Sequence, residues 1–216
     1  MIPAYLTESR EILESVSRRY CQTARLNDRG VLCRVLSKYI FYADTEDLGL
    51  TPHLCLDGFW ESWVTLAMAR ILKPGMHFLD VGANQGYFTL LMADAVEDDG
   101  RVLAIEPNPH LLERLKLSLE VNGYLHRTTI VQKAALNTCG ELVRLAIPAH
   151  RAMDATVNEM ANGTTERLEV ETVTLDDLTR DWSRVDLIKI DAEGAEEKIW
   201  QGLREKIGRA SCRERV

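Results

Sequence analysis

Met76–Ala93, MHFLDVGANQGYFTLLMA, decides how this chain folds. Phe78, Leu79 and Val81 form the short, bounded apolar run of a parallel strand covered on both faces, predicted over His77–Val81. Asp80 sits near the strand's C-terminal end, where open α/β sheets place their ligands. Gly82 and Gly86 bracket a tight turn in which backbone can approach a ligand with no Cβ between them. From Tyr87 to Ala93 the pattern is helical, so N–H groups at the helix start face whatever lies over the turn. The stretch reads as a cradle for a small molecule.

Downstream, Arg101–Ile105 is a second apolar strand ending on Glu106-Pro107. Pro109–Asn122 follows as a helix with Leu111, Leu112, Leu115 and Leu119 toward a sheet. Thr128–Val131 is a third strand, and Lys133-Ala134-Ala135 comes next. This βαβαβ order, with connections of helical length, predicts a right-handed parallel sheet. Leu142–Ile147 and Arg167–Thr174 read as an antiparallel pair with one wet face, inserted before the sheet resumes. Val185–Ile190 is a fourth buried-type strand, ending in Asp191-Ala192-Glu193-Gly194, and Glu196 starts another helix. The fold class is α/β, a doubly wound and mostly parallel sheet.

Upstream, Thr7–Asn27 carries Ile12, Leu13, Val16 and Tyr20 on one helical face, closed by Gly30. One or two short strands fit Val31–Ala43. A helix over Phe59–Leu72 would bury Trp60, Trp63, Val64, Ala67 and Ile71. The expected organisation is an N-terminal extension over residues 1–56, a ligand-binding domain over 57–206 and a separate tail over 207–216. That tail, IGRASCRERV, has no apolar periodicity. It resembles a sequencing adapter translated in one frame, encoded by ATC GGA AGA GCG TCG TGT AGG GAA AGA GTG and followed by a stop. It is expected to be non-native, on a gene that was a fragment.

At 216 residues the chain suits one α/β domain with an extension. Its net charge of −7 argues against a protein that tracks nucleic-acid phosphates. No apolar run reaches membrane-spanning length, and the N-terminus lacks the basic-then-apolar order of a signal peptide, so a cytoplasmic location is expected. The five cysteines contain no CxxC pair, which reads as reduced thiols with neither a disulfide frame nor a zinc knuckle. Asp191 and Glu193 lack a third clustered ligand, so no metal site is expected. His53, His110, His126 and His150 read as surface residues, and Asp176-Asp177 as the start of a helix.

A dinucleotide site would want G-x-G-x-x-G, whose middle glycine lets a pyrophosphate touch backbone. Here Gly82-Ala83-Asn84-Gln85-Gly86 has Asn84 in the middle, which S-adenosylmethionine tolerates. Glu106, ending the second strand, is placed to accept both ribose hydroxyl protons.

FLDVGANQGYFTLLMA, VLAIEPNPHLLERLKLSLEVNG, VTLDDL and VDLIKIDAEGAEEKIWQGL resemble the FkbM-type S-adenosylmethionine-dependent methyltransferases, over roughly Asp57 to Leu203. Glu61, in GFWESW, falls where members of that family carry a glutamate. The resemblance implies a seven-stranded, Rossmann-like class I methyltransferase sheet whose C-terminal strands this chain lacks. It also implies O-methylation of a hydroxyl on a sugar, glycolipid or secondary metabolite. The cofactor-binding set is then Glu61, Asp80, Gly82, Asn84, Gly86, Tyr87, Glu106, Pro107, Ala134 and Asp191.

Within that set, Asp80 and the Gly82–Gly86 turn would hold the methionine end of the donor, its ammonium near the carboxylate and its carboxylate near backbone N–H groups. Glu106 would hold the ribose, and Ala134 would border the adenine. Asp191 and Glu193 would face the methyl and the acceptor, Asp191 being the first choice of general base and Glu193 the second. The rival readings are a nucleotide-binding oxidoreductase of the same fold and a catalytically inactive binding fragment.

Overall fold

The computed structural model describes residues 1–148, 155–157 and 164–204; the tail over 207–216, with Cys212, and His150 lie outside the described residues. The chain opens with helix α1 (Arg10–Tyr20), capped by the Ser9 hydroxyl, which accepts from the Ile12 N–H at 3.3 Å. An antiparallel sheet follows, β1 (Thr23–Asn27), β2 (Gly30–Val35) and β3 (Tyr39–Asp44), with β2 in the middle. The helix expected through Asn27 therefore stops at Tyr20, and Gly30 opens a strand where it was expected to close a helix. The β1–β2 turn is set by Asn27, whose side chain accepts from the Arg29 N–H at 2.9 Å. Every residue of β1 is exposed, so no apolar alternation announces it.

Helices α2 (Thr51–Leu56) and α3 (Ser62–Ile71) lead to the central strand β4 (His77–Val81). The apolar stripe read on α3 does not face inward. Ser62, Thr65, Leu66, Met68 and Ala69 are buried, while Trp63 is 64% and Ile71 48% exposed. Polar contacts turn the helix this way: Ser62 donates to Glu14 at 2.7 Å, and Thr65 meets the Tyr87 hydroxyl at 3.1 Å. Trp63 is covered on one face by the Arg10 guanidinium, 4.6 Å from the ring centroid. On α1 the buried residues are Leu13 and Ser17, with Ile12 and Tyr20 exposed.

The chain continues through α4 (Tyr87–Val96), β5 (Arg101–Ile105), α5 (Pro109–Val121) and β6 (Thr128–Val131). It then forms β7 (Ala134–Ala135), β8 (Leu142–Pro148), β9 (Thr164–Val173), the short helix α6 (Leu175–Leu178), β10 (Leu187–Ile190) and α7 (Glu196–Gln201). Four of the strands form one parallel sheet in the order β10-β4-β5-β6. β8 and β9 pair antiparallel as expected, and β7 adds to β9 in parallel, a two-residue strand too short to show in a pattern.

The sheet is doubly wound, because alternate residues feed two cores. Phe78, Val102 and Ala104 pack against Leu90, Leu91, Leu115 and Leu119 of α4 and α5. Leu79, Val81, Leu103 and Ile105 pack on the opposite face against Leu175, Ile199 and Leu203. The first of these cores also takes in Leu13, Val35, Phe41 and Leu54, so the N-terminal sheet and helices share it. β10, read from sequence as fully buried, is half-buried throughout, because it is the edge strand of the described sheet.

Candidate active site

The chain runs β4, β5, β6 outward and then returns through β10 on the other side of β4. Adjacent connections leave in opposite directions between β4 and β10, and in open α/β sheets that switch point holds the ligand crevice at the strands' C-terminal ends. A cleft lies there, with about 900 Å³ of space, part of it open to solvent. Val81-Gly82, Ile105-Glu106-Pro107 and Asp191-Ala192-Glu193 line it from three strand ends. Asn84, Tyr87 and Ala134 also line it, so these sequence-selected residues surround one cavity.

Glu106 is 6% exposed. Its carboxylate accepts from the Asn84 N–H and the Asn108 N–H, each at 2.9 Å. Burial raises its pKa from the ordinary 4.5 to about 7, and the two backbone N–H groups oppose the rise. Asn84 reaches this position with a left-handed backbone, φ 54°, and its own side chain accepts from the Gln85 N–H at 2.7 Å. Tyr87 is buried, with its hydroxyl against Thr65, and burial raises its pKa.

Three expected residues stand off the cleft wall. Asp80 is 0% exposed: one carboxylate oxygen accepts from the Thr89 hydroxyl at 2.6 Å and the other lies 3.4 Å from the Lys189 ammonium. Alternation along β4 points Asp80 at α4, opposite Lys189 in the β10 register, and it is absent from the cleft lining. Glu61 is absent from the lining; burial and the charge of Asp191 raise its pKa. Gly86 packs inward, where a Cβ would meet the Leu115 side chain at 3.0 Å.

The glycine turn also differs from expectation. A Cβ on Gly82 would lie 1.8 Å from the Asp191 carbonyl oxygen, so this glycine admits the end of β10 and its absence of side chain serves packing. The N–H groups of Gly82 and Ala83 donate to Ile105, that of Asn84 to Glu106, that of Gln85 to Asn84, and that of Gly86 to Ala83. The turn's donors are spent internally. The first turn of α4 precedes the helix's first intrahelical bond, Leu90 N–H to Gly86 O, so its N–H groups have no intrahelical acceptor.

Lys189, carried by the edge strand β10, also lines the cleft. Its ammonium sits 3.4 Å from both Asp80 and Asp191, 3.3 Å from the Gly82 carbonyl, and over the Phe88 ring. Burial lowers its pKa, but Asp80 and Asp191 outweigh burial and raise it. It both pairs with carboxylates and lines the cleft. Asp191 is 58% exposed, and Glu196, not Asp191, takes the loop N–H groups of Ala192 and Gly194. Leu50 and Trp60 form a further wall. Among the described residues no group of three or more His, Cys, Asp or Glu could hold a metal ion, and no helix is long and apolar enough to cross a membrane.

The cleft fits an adenosyl donor: its buried carboxylate keeps acceptor capacity beyond the two N–H bonds it makes, which paired ribose hydroxyls would use. A model of the methyltransferase FkbM domain matches residues 80–216. Methyltransferase sdnD of Sordaria araneosa is 26% identical over 164 residues, 62% of this chain and 63% of that protein. Protein-L-isoaspartate O-methyltransferase of Hyperthermus butylicus is 42% identical over 67 residues, 28% of each chain. Among solved structures, methyltransferase FkbM from Methylobacillus flagellatus is 17% identical with a TM-score of 0.43, covering 68% of this chain and 39% of that one. The chain spans 20–30% of the length of the first isoaspartate methyltransferases it matches. The sheet is a doubly wound, Rossmann-like parallel sheet, its cleft suits S-adenosylmethionine, and the chain belongs to the methyltransferase FkbM domain family.

Proposed function

We propose that this protein transfers a methyl group from S-adenosylmethionine to a hydroxyl of a sugar, glycolipid or secondary metabolite. The observation that carries the reading is Glu106, a buried carboxylate fixed by two backbone N–H groups on the wall of a cleft at the sheet's switch point. When bound, the donor supplies a methyl already activated by its sulfonium. The protein's work is then to hold donor and acceptor in line and exclude water.

Glu106 binds the ribose hydroxyls, with Asn84 and Pro107 beside it and Ala134 at the base end. The first N–H groups of α4, at Tyr87 and Phe88, hold the donor's carboxylate, in place of the spent turn. Asp191 is the general base for the acceptor hydroxyl and Glu193 its alternative. Lys189, 3.4 Å from Asp191, holds that carboxylate beside the cleft. The acceptor enters past Leu50 and Trp60. A net charge of −7 favours a small hydroxyl acceptor over a phosphate strand.

Methyl transfer from tritium-labelled donor, followed by mild alkali, tests this reading. A methyl ether survives alkali, whereas a methyl ester releases labelled methanol. Label that stays on the acceptor, with kcat reduced at least 100-fold in Asp191→Asn, is the expected result; alkali-labile label would assign a carboxylate acceptor instead.

A further inference from the structure

Away from the cleft, the fold brings together two thiols that are 22 residues apart in sequence. Cys33, in β2, is 1% exposed; Cys55, in α2, is partly exposed; their Sγ atoms are 3.3 Å apart. We propose that Cys33 and Cys55 are an oxidisable pair, a modification site at which a peroxide converts the dithiol to a disulfide joining β2 to α2.

The pair is asymmetric in the way such a reaction needs. Cys55 is the more exposed of the two, and its hydrogen bond with Cys33 brings its pKa down to about 7 against the effect of burial. The same bond and burial push the Cys33 thiol up. The Cys55 thiolate attacks peroxide, breaking the O–O bond; its sulfur becomes a sulfenic acid and hydroxide leaves. The Cys33 sulfur then attacks that sulfenic sulfur, the S–O bond breaks, and the departing oxygen leaves as water with the Cys33 proton. Two thiols lose two electrons and two protons, and the peroxide becomes two waters. Closing to a bond of about 2.05 Å requires a movement on the order of 1 Å between a strand and a short helix.

The neighbouring thiol is otherwise engaged: the Cys21 sulfur lies 3.3 Å from the Leu54 and Cys55 carbonyl oxygens. Cys139 is exposed beyond β7 and acts as an internal control. The N-cap of α2 is Leu50, a cleft-lining residue, so the disulfide would tether one wall of the cleft to β2.

The test is peptide mapping of the reduced, folded protein after a few equivalents of hydrogen peroxide, alkylation of remaining thiols and digestion without reductant. A dominant Cys33–Cys55 linked peptide, about 2 Da lighter than the two free peptides and released by dithiothreitol, is expected. In Cys33→Ser, dimedone should trap a sulfenic acid on Cys55. A dominant link from Cys55 to any other cysteine, or loss of the Cys55 thiol with no link to Cys33, would overturn the proposal.

Discussion

Glu106 carries a pH dependence whose sign follows from its burial. Below about 7 its carboxyl is protonated and offers ribose hydroxyls fewer acceptors, so S-adenosylhomocysteine should bind several-fold more weakly at pH 6 than at pH 8. Equilibrium dialysis across that range checks this, and Glu106→Gln should flatten the profile. The free protein should show the opposite trend. A folded pKa raised from 4.5 to about 7 contributes stability that is full below 4.5 and lost as pH rises through 7. Gly82 is as exposed to substitution as any residue in the fold. With φ at +73° and a Cβ 1.8 Å from the Asp191 carbonyl, Gly82→Ala should cost more than about 3 kcal/mol, read as a lowered urea midpoint.

The turn after β4 and the loop after β3 are joined by one side chain. Gln85 is 0% exposed; its carbonyl accepts from the Asp44 N–H and its amide donates to Asp47, both at 2.9 Å. Asp47 in turn accepts from the N–H groups of Gly49, Leu50 and Thr51, which set the start of α2. Gln85→Leu keeps the volume but removes both bonds, leaving the buried Asp44 N–H without its acceptor and the Asp47 carboxylate with only its loop donors, at about 1–3 kcal/mol. Weakened S-adenosylhomocysteine binding at a temperature well below the melting transition is expected, together with faster amide exchange at Leu50 and Thr51. Unchanged binding and exchange would confine Gln85 to a packing role. The α3 helix shows why element faces are harder to read than elements. Trp63, Val64 and Ile71 face solvent because Ser62 and Thr65 have polar partners inside, and no apolar periodicity encodes those partners.

Asp94 ties the N-terminal segment to the parallel sheet. Its buried carboxylate accepts from Lys38 at 2.6 Å, Tyr39 at 2.9 Å, Tyr124 at 3.0 Å and the Met1 amino group at 3.1 Å. Burial disfavours the charge, but Lys38 and Tyr39 hold its pKa below the usual value, so its contribution persists until pH falls through that lowered value. Asp94→Asn should cost about 2–4 kcal/mol in denaturant titration at pH 7. Much of this architecture was legible in the chain. β4 and β5 are bounded apolar runs and β6 a short β-branched one, and Glu106 and Asp191 follow the last residues of their strands, so the cleft's acidic rim could be read directly. The surroundings of Asp80 were not legible, because strand alternation, not distance from the strand end, decides which face a side chain takes. β1 and the buried face of α3 stayed hidden because long-range polar contacts and exposure set them. The proposed donor site rests above all on the carboxylate at the end of β5. Calorimetric titration of the wild-type protein and Glu106→Gln with S-adenosylhomocysteine, and of the wild type with NAD, tests it most directly. One site for S-adenosylhomocysteine, weakened at least tenfold by the substitution, and no heat with NAD are predicted; equal affinity in both proteins, or binding of NAD alone, would contradict it.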